Sequence, residues 1–358
     1  MTAVRIVERS ESDDAAAFVA QFAAAPALLR HPPHAGALAP AQSWRSLIDL
    51  PTGAARAFWL AQREGTVLGR VGACLSPHYP GAGYVGFFEV DTGDAEAEIT
   101  AARLLDQACR WLRAQGARLA YGPLDLATWF NYRFRVPAVG ADANENDEPP
   151  FWWEPENPPE YTRWFTSQGF SEAQRFHSHG FSGDPPGVAE MIVAFTGMAR
   201  DGLREKGFSF RPIDPARLGD ELPILHRISM ESFSDNLLFE PISLAVFEGL
   251  YRATADRVDY GLSQFVVDPQ GHEAGFVFGF VDRGYAVVKS IAVLPAFRGL
   301  HLSTALLHLV LAGALARGVR RGISALVRAG SRSQFLEGKH QMVRGWRHEY
   351  ALFQKTLV

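Results

Sequence analysis

A single basic residue, Arg298, stands beside Gly299 in a short turn between an apolar run and a helical pattern. That arrangement suits an anion. Upstream, Val287, Val288, Ile291 and Val293 make a β-branched, apolar run that predicts a strand. Pro295 cannot donate to a sheet ladder, so the strand should stop there. Downstream, Leu302, Ala305, Leu306, Leu309 and Val310 recur at helical spacing and predict a helix ending near Gly318. The first amides of a helix have no internal partner and carry the positive end of its macrodipole. Gly299 admits a large ligand to the backbone, and Arg298 adds a fixed positive charge.

These residues resemble the acyl-CoA-binding motif of the GNAT acyltransferase superfamily: Arg or Gln, two residues, Gly, one residue, then Gly or Ala. Arg298 takes the basic position, with Gly299 and Leu300 after it. His301 stands where the family has Gly, and Ser303 where it has Gly or Ala. A side chain at His301 costs about 1–2 kcal/mol if that residue must adopt positive φ. The resemblance implies acetyl-CoA or another acyl-CoA as co-substrate, with no metal. The turn Arg298, Gly299, Leu300, His301, Leu302, Ser303 and Thr304 would then cradle the pyrophosphate, and Ile291, Ala292 and Val293 would bind the pantetheine arm and polarise the thioester carbonyl. The family often has a Glu base thirteen residues before the basic residue; Tyr285 occupies that place here. A tyrosine, with an ordinary pKa of about 10, is a poor base at neutral pH but can orient a water or the amine. Ser331 leads the helix that the family begins with Asn, and Gly338 takes the place of its thiolate-protonating Tyr. Approximation alone contributes several kcal/mol to such a reaction.

In the family's fold the region of Glu231, Asp235, Asn236 and Glu240 borders the acceptor site, so these residues can receive a cationic amine. Helix capping by Ser234 or Asp235, with a solvated acidic edge, is the other reading. Trp152 and Trp153 follow an acidic, polar stretch from Gly140 to Pro150 and either line a ligand mouth or fill a gap between domains. His31 and His34 lack a second ligand pair and read as surface loop, and His177 and His179 as packing.

The elements that must position these residues form two sets. From residue 208 the patterns give a strand, two helices, a hairpin turning at Asp268–Gly271, the organising strand, turn and helix, and two final strands with a short helix between. Residues 50–182 resemble the N-terminal half of tandem-GNAT bacterial proteins, through Gly86-Phe-Phe-Glu89, Gly122-Pro123 and Tyr161 to Phe170. There the segment after the strand carries Asp91, Asp94, Glu96 and Glu98, carboxylates where a pyrophosphate needs positive charge. The expected fold is therefore α/β of the α+β type, with two tandem GNAT-like domains, each a twisted, mostly antiparallel sheet flanked by helices. Residues 1–182 form the first, without cofactor; 183–206 a linker and connecting helix; 207–358 the acyl-CoA-binding domain.

Composition narrows the function. The 358 residues suffice for two domains, and a hydrophobic content of 47% for two cores. The formal charge of −4 argues against a nucleic-acid partner. No apolar run approaches the roughly 20 residues that span a bilayer, and no basic segment precedes an apolar one near the start, so no membrane partner and a cytoplasmic location are expected. Cys74 and Cys109 have no metal-like spacing. Together with the resemblance, the expected function is a CoA-dependent N-acyltransferase, an acetyltransferase foremost, moving an acyl group to a small-molecule amine by direct attack. A catalytically silent binding or scaffold protein, or another acyl-CoA reaction, are the alternatives.

Overall fold

The structure is a computed structural model describing residues 3–9, 15–31, 41–50, 53–137, 148–181, 187–330 and 345–357. In chain order the first elements are β1 (Arg5–Glu8), α1 (Ala15–Leu29), α2 (Ala41–Ile48), β2 (Arg56–Arg63), β3 (Thr66–Leu75), β4 (Ala82–Val90), α3 (Ala97–Ala114), β5 (Leu119–Gly122), β6 (Phe134–Val136), α4 (Glu160–Ser167) and β7 (Ser171–Phe181). There follow α5 (Val188–Glu205), β8 (Ser209–Pro212), α6 (Leu218–Ser232), α7 (Leu244–Arg252), β9 (Gln264–Val267), β10 (Glu273–Asp282), β11 (Tyr285–Val293), α8 (Leu302–Leu315), β12 (Arg321–Arg328) and β13 (Gly345–Thr356).

The chain forms two compact units. The first comprises Met1–Pro137, Trp152–Arg175 and Glu349–Val358, the second Ala138–Phe151 and Phe176–His348. In the first, strands run in the order β1-β2-β3-β4-β5-β13, with β6 also on β13. Its neighbours are antiparallel except β4 and β5, which pair in parallel through Ala82–Tyr84 and Leu119–Tyr121. Leu104, Leu105, Ala108 and Leu112 put one face of α3 into the core with Trp59, Val71 and Val85.

The second unit repeats the plan as β7-β12-β11-β10-β9-β8. Again one pair is parallel, β11 with β12, through Tyr285–Val288 and Arg321–Ser324. Leu302, Ala305, Leu306 and Val310 of α8 pack with Leu262, Val277 and Val288. Each large aliphatic side chain so buried contributes about 1.5–3 kcal/mol. Mixed sheets flanked by helices are therefore present in both units.

These units do not follow the linear division at 182 and 206. Helix α5, expected as a connector, is integral to the second unit because it packs on α8. Buried His308 of α8 has Nδ1 3.0 Å from the Val193 carbonyl and Nε2 3.0 Å from a guanidinium nitrogen of Arg200. Strand β7 supplies residues from Phe176 to the second unit, and β13 supplies residues from Glu349 to the first. On β7, His177 and Ser178 are buried, and the Ser178 hydroxyl accepts the Leu326 N–H at 3.0 Å where β12 departs from its ladder. Among the described residues no helix is long and apolar enough to cross a membrane.

Candidate active site

The organising stretch folds as strand, turn and helix. After Val288, β11 leaves β12 and continues to Val293 against β10, so its remaining edge opens from its parallel neighbour. Leu294 is held by its N–H on the Ala274 carbonyl at 2.9 Å, and Pro295–Phe297 forms one 3-10 turn. Gly299 then takes φ 89°, where an added Cβ would meet nothing within 4 Å. Glycine is needed there for its backbone conformation rather than for space. His301 takes φ 67° at the N-cap of α8, the left-handed conformation anticipated for that position, and its side chain caps nothing.

The consequence is a row of open donors. The first helical bond of α8 runs from Ala305 N–H to the His301 carbonyl. Among the described residues, the amides of Gly299, Leu300, His301, Leu302, Ser303 and Thr304 donate to no protein acceptor. No acid stands in the first turn of α8. Unpaired amides at a helix start, joined to a left-handed turn, are a donor arrangement that suits an anion.

Arg298 is already engaged. Its guanidinium donates to Asp235 at 2.8 Å and to the Ser232 carbonyl at 2.9 Å, at the C-terminal end of α6. A cation placed there also meets the negative end of that helix. Arg298 and Asp235, read from the sequence as cofactor and acceptor residues, are thus one ion pair. Neither Ser234 nor Asp235 caps a helix N-terminus: the Ser234 hydroxyl donates back to the Glu231 carbonyl at the end of α6, and Ser243 caps the start of α7. Glu231 is exposed, Asn236 lies in the turn that follows, and Glu240 is buried.

Sequence reasoning missed an aromatic cluster on β10, the antiparallel neighbour of β11. Phe276 and Phe278 of β10 stand opposite Ala292 and Ser290. Tyr251 of α7 stacks on Phe278 at 5.2 Å, and Phe247 packs on Tyr251 at 4.3 Å. The helical spacing of Phe247 and Tyr251 was visible, but nothing local said which strand they would meet. The side-chain oxygens of Ser229 and Ser232, on α6, are buried without a hydrogen-bond partner among the described residues.

Other expected site residues lie elsewhere. Tyr285 sits at the closed end of β11, still paired with Arg321 of β12. Its hydroxyl accepts the Trp346 indole N–H at 3.2 Å, and the Arg321 guanidinium lies 4.3 Å from the centre of its ring. Burial pushes its phenol pKa up, away from what a base at neutral pH requires. Trp152 and Trp153 belong to the first unit, where their rings stack at 4.2 Å. Ser331 and Gly338, like His34, fall outside the described residues. Among the described residues no group of three or more His, Cys, Asp or Glu is arranged to hold a metal.

The first unit has the corresponding strand, turn and helix, but its own groups fill them. Leu124 N–H donates to the Val85 carbonyl, and an added Cβ at Gly86 would collide with the Leu124 carbonyl. Asp125 accepts the Phe87 N–H, and the Tyr161 hydroxyl accepts the Val90 N–H at 2.9 Å. In the turn, Asp91 accepts the Gly93 N–H at 2.9 Å and Asp94 the Glu96 N–H at 2.8 Å. Arg63 pairs with Asp94 and Glu96 at 2.6 and 2.5 Å and holds the Asp94 carboxyl below the usual carboxylate range.

Residues 197–326 match the family described as Acetyltransferase (GNAT) domain. No curated protein sequence matches. A tandem GNAT protein from the clavulanic acid biosynthesis pathway superposes with a TM-score of 0.54 at 14% identity, covering 99% of both chains. A probable N-acyltransferase from Enterococcus faecalis gives 0.59 at 8% identity, covering 99% of this chain and 73% of that one. A GCN5-related N-acetyltransferase from Anabaena variabilis gives 0.54 at 11%, with 99% and 73% covered. At such identities the likeness is one of fold. Residues 197–326 thus match the GNAT acetyltransferase domain family, and the chain as a whole has the tandem GNAT fold.

Proposed function

We infer that the second unit is a CoA-dependent N-acyltransferase, in the first instance an acetyltransferase acting on a small-molecule amine in the cytoplasm. The observation that carries this is the row of open amides from Gly299 to Thr304 above an acid-free helix start. Those amides and Arg298 would hold the pyrophosphate. The open edge of β11 from Ile291 to Val293 would take the pantetheine arm and polarise the thioester carbonyl. The amine nitrogen then attacks that carbon, the C–S bond breaks, and the thiolate takes up a proton as the new amide loses one. Acids at the end of α6, Glu231 and Asp235 with Asn236 beside them, suit a cationic acceptor. Ser331 is proposed as a catalytic residue. The first unit keeps the fold without the cofactor, because its own side chains occupy the corresponding donors.

A second reading, a CoA-binding protein without turnover, is favoured by Tyr285, which is buried and hydrogen-bonded away from the turn. Thiol release from acetyl-CoA across a panel of primary amines separates the two. Amine-dependent thiol is the expected result. CoA binding without thiol release from any amine or acyl-CoA tested would favour the silent protein.

A further inference from the structure

The ion pair between Arg298 and Asp235 is unusual for its position. Between Val293 and Leu315 the chain has no other Lys or Arg and no acid, so Arg298 supplies the whole formal charge of the anion turn. Yet that guanidinium is committed to the Asp235 carboxylate at 2.8 Å and the Ser232 carbonyl at 2.9 Å. The pair is solvated, with side-chain exposures of 40% and 72%, so it adds little to folding stability. Its effect falls instead on whatever anion approaches the turn, since the carboxylate occupies the guanidinium that the anion would use.

The geometry points to Asp235 as a built-in competitor for Arg298, displaced when the pyrophosphate of acyl-CoA binds, and so a setter of cofactor affinity. The inference rests on the acyl-CoA reading of this turn. A pyrophosphate offers Arg298 more charge and a bidentate acceptor, so it prevails over a single exposed carboxylate. Asp235 weakens the complex and speeds departure of the spent CoA, acting through Arg298 as a positioning residue rather than on the reacting atoms.

The test is calorimetric titration of free CoA into the full chain and its variants. Asp235→Asn should bind CoA about threefold to tenfold more tightly than the parent, the span allowed by an exposed pair next to an anion site. The gain should shrink as salt is added. In an Arg298→Ala background the same substitution should change affinity by less than about twofold, because the competition has lost its object. The thermal midpoint of ligand-free Asp235→Asn should match the parent. Tight CoA binding by the parent with equal or weaker binding by Asp235→Asn overturns the competitor and leaves the cofactor site standing. A gain that persists undiminished without Arg298 also overturns it, as a general charge effect. A parent that does not bind CoA overturns both readings.

Discussion

Ser303→Asp weakens CoA binding by about 1–3 kcal/mol, roughly 5-fold to 150-fold, and leaves the ligand-free fold intact. Ser303 is the second residue of α8, half-buried, and its N–H is among the open donors of the turn. A carboxylate there repels a pyrophosphate at short range in a partly shielded site. The same carboxylate is favourable in the free protein, since the first turn of α8 contains no acid and the macrodipole welcomes one. The thermal midpoint without ligand should therefore stay level or rise slightly, while stabilisation by added CoA shrinks. The first unit is a natural version of this substitution: Asp91, Asp94 and Glu96 already lie in its turn. Unchanged affinity in Ser303→Asp would remove the cofactor from this turn.

Glu89→Ala destabilises the protein by about 3–5 kcal/mol in chemical denaturation, through a network in the first unit. Glu89, almost fully buried, receives two bonds from Arg30 at 2.8 and 2.5 Å, and Arg70 approaches to 4.0 Å. The Tyr161 hydroxyl lies 3.1 Å from the same carboxylate. Burial lowers the Arg70 pKa to about 10, whereas at Arg30 the bidentate carboxylate outweighs burial and raises it. The two guanidiniums differ because only Arg30 is bonded directly to Glu89. Arg70 is held instead by the Phe22 carbonyl at 2.7 Å and lies 4.9 Å from that ring's centre. Removing the carboxylate leaves the fully buried Arg70 and the partly buried Arg30 as neighbouring cations whose desolvation is no longer offset. A loss below about 1 kcal/mol would show that the network relaxes freely and does not hold the first unit together.

What was legible in the sequence was mostly local. The run from Tyr285 to Leu315 declared its strand, its Pro stop, its turn and its helix, because each rests on neighbouring residues. The positive φ at His301 was legible too, as the price of a left-handed turn without glycine. So were the carboxylates that fill the first unit's turn. The remaining seals on that unit, Asp125 on Phe87 and Tyr161 on Val90, join residues far apart in sequence that no period connects. Long-range pairing also explains the domain boundaries: β13 completes the first unit after nearly the whole chain has passed. Tyr285 was placed by counting back from Arg298, and counting cannot reveal that Trp346 bonds to its hydroxyl. Asp235 was singled out as an acid near the acceptor, but its tie to Arg298 depends on where α6 ends against the turn.

The most direct measurement of the central claim is the stoichiometry of acetyl-CoA binding to the full chain by titration calorimetry. The open amides of Gly299–Thr304 and the self-filled turn of the first unit predict one site per chain. Two equivalent sites would contradict the assignment of the cofactor to the second unit alone, and the absence of binding would contradict the acyl-CoA site itself.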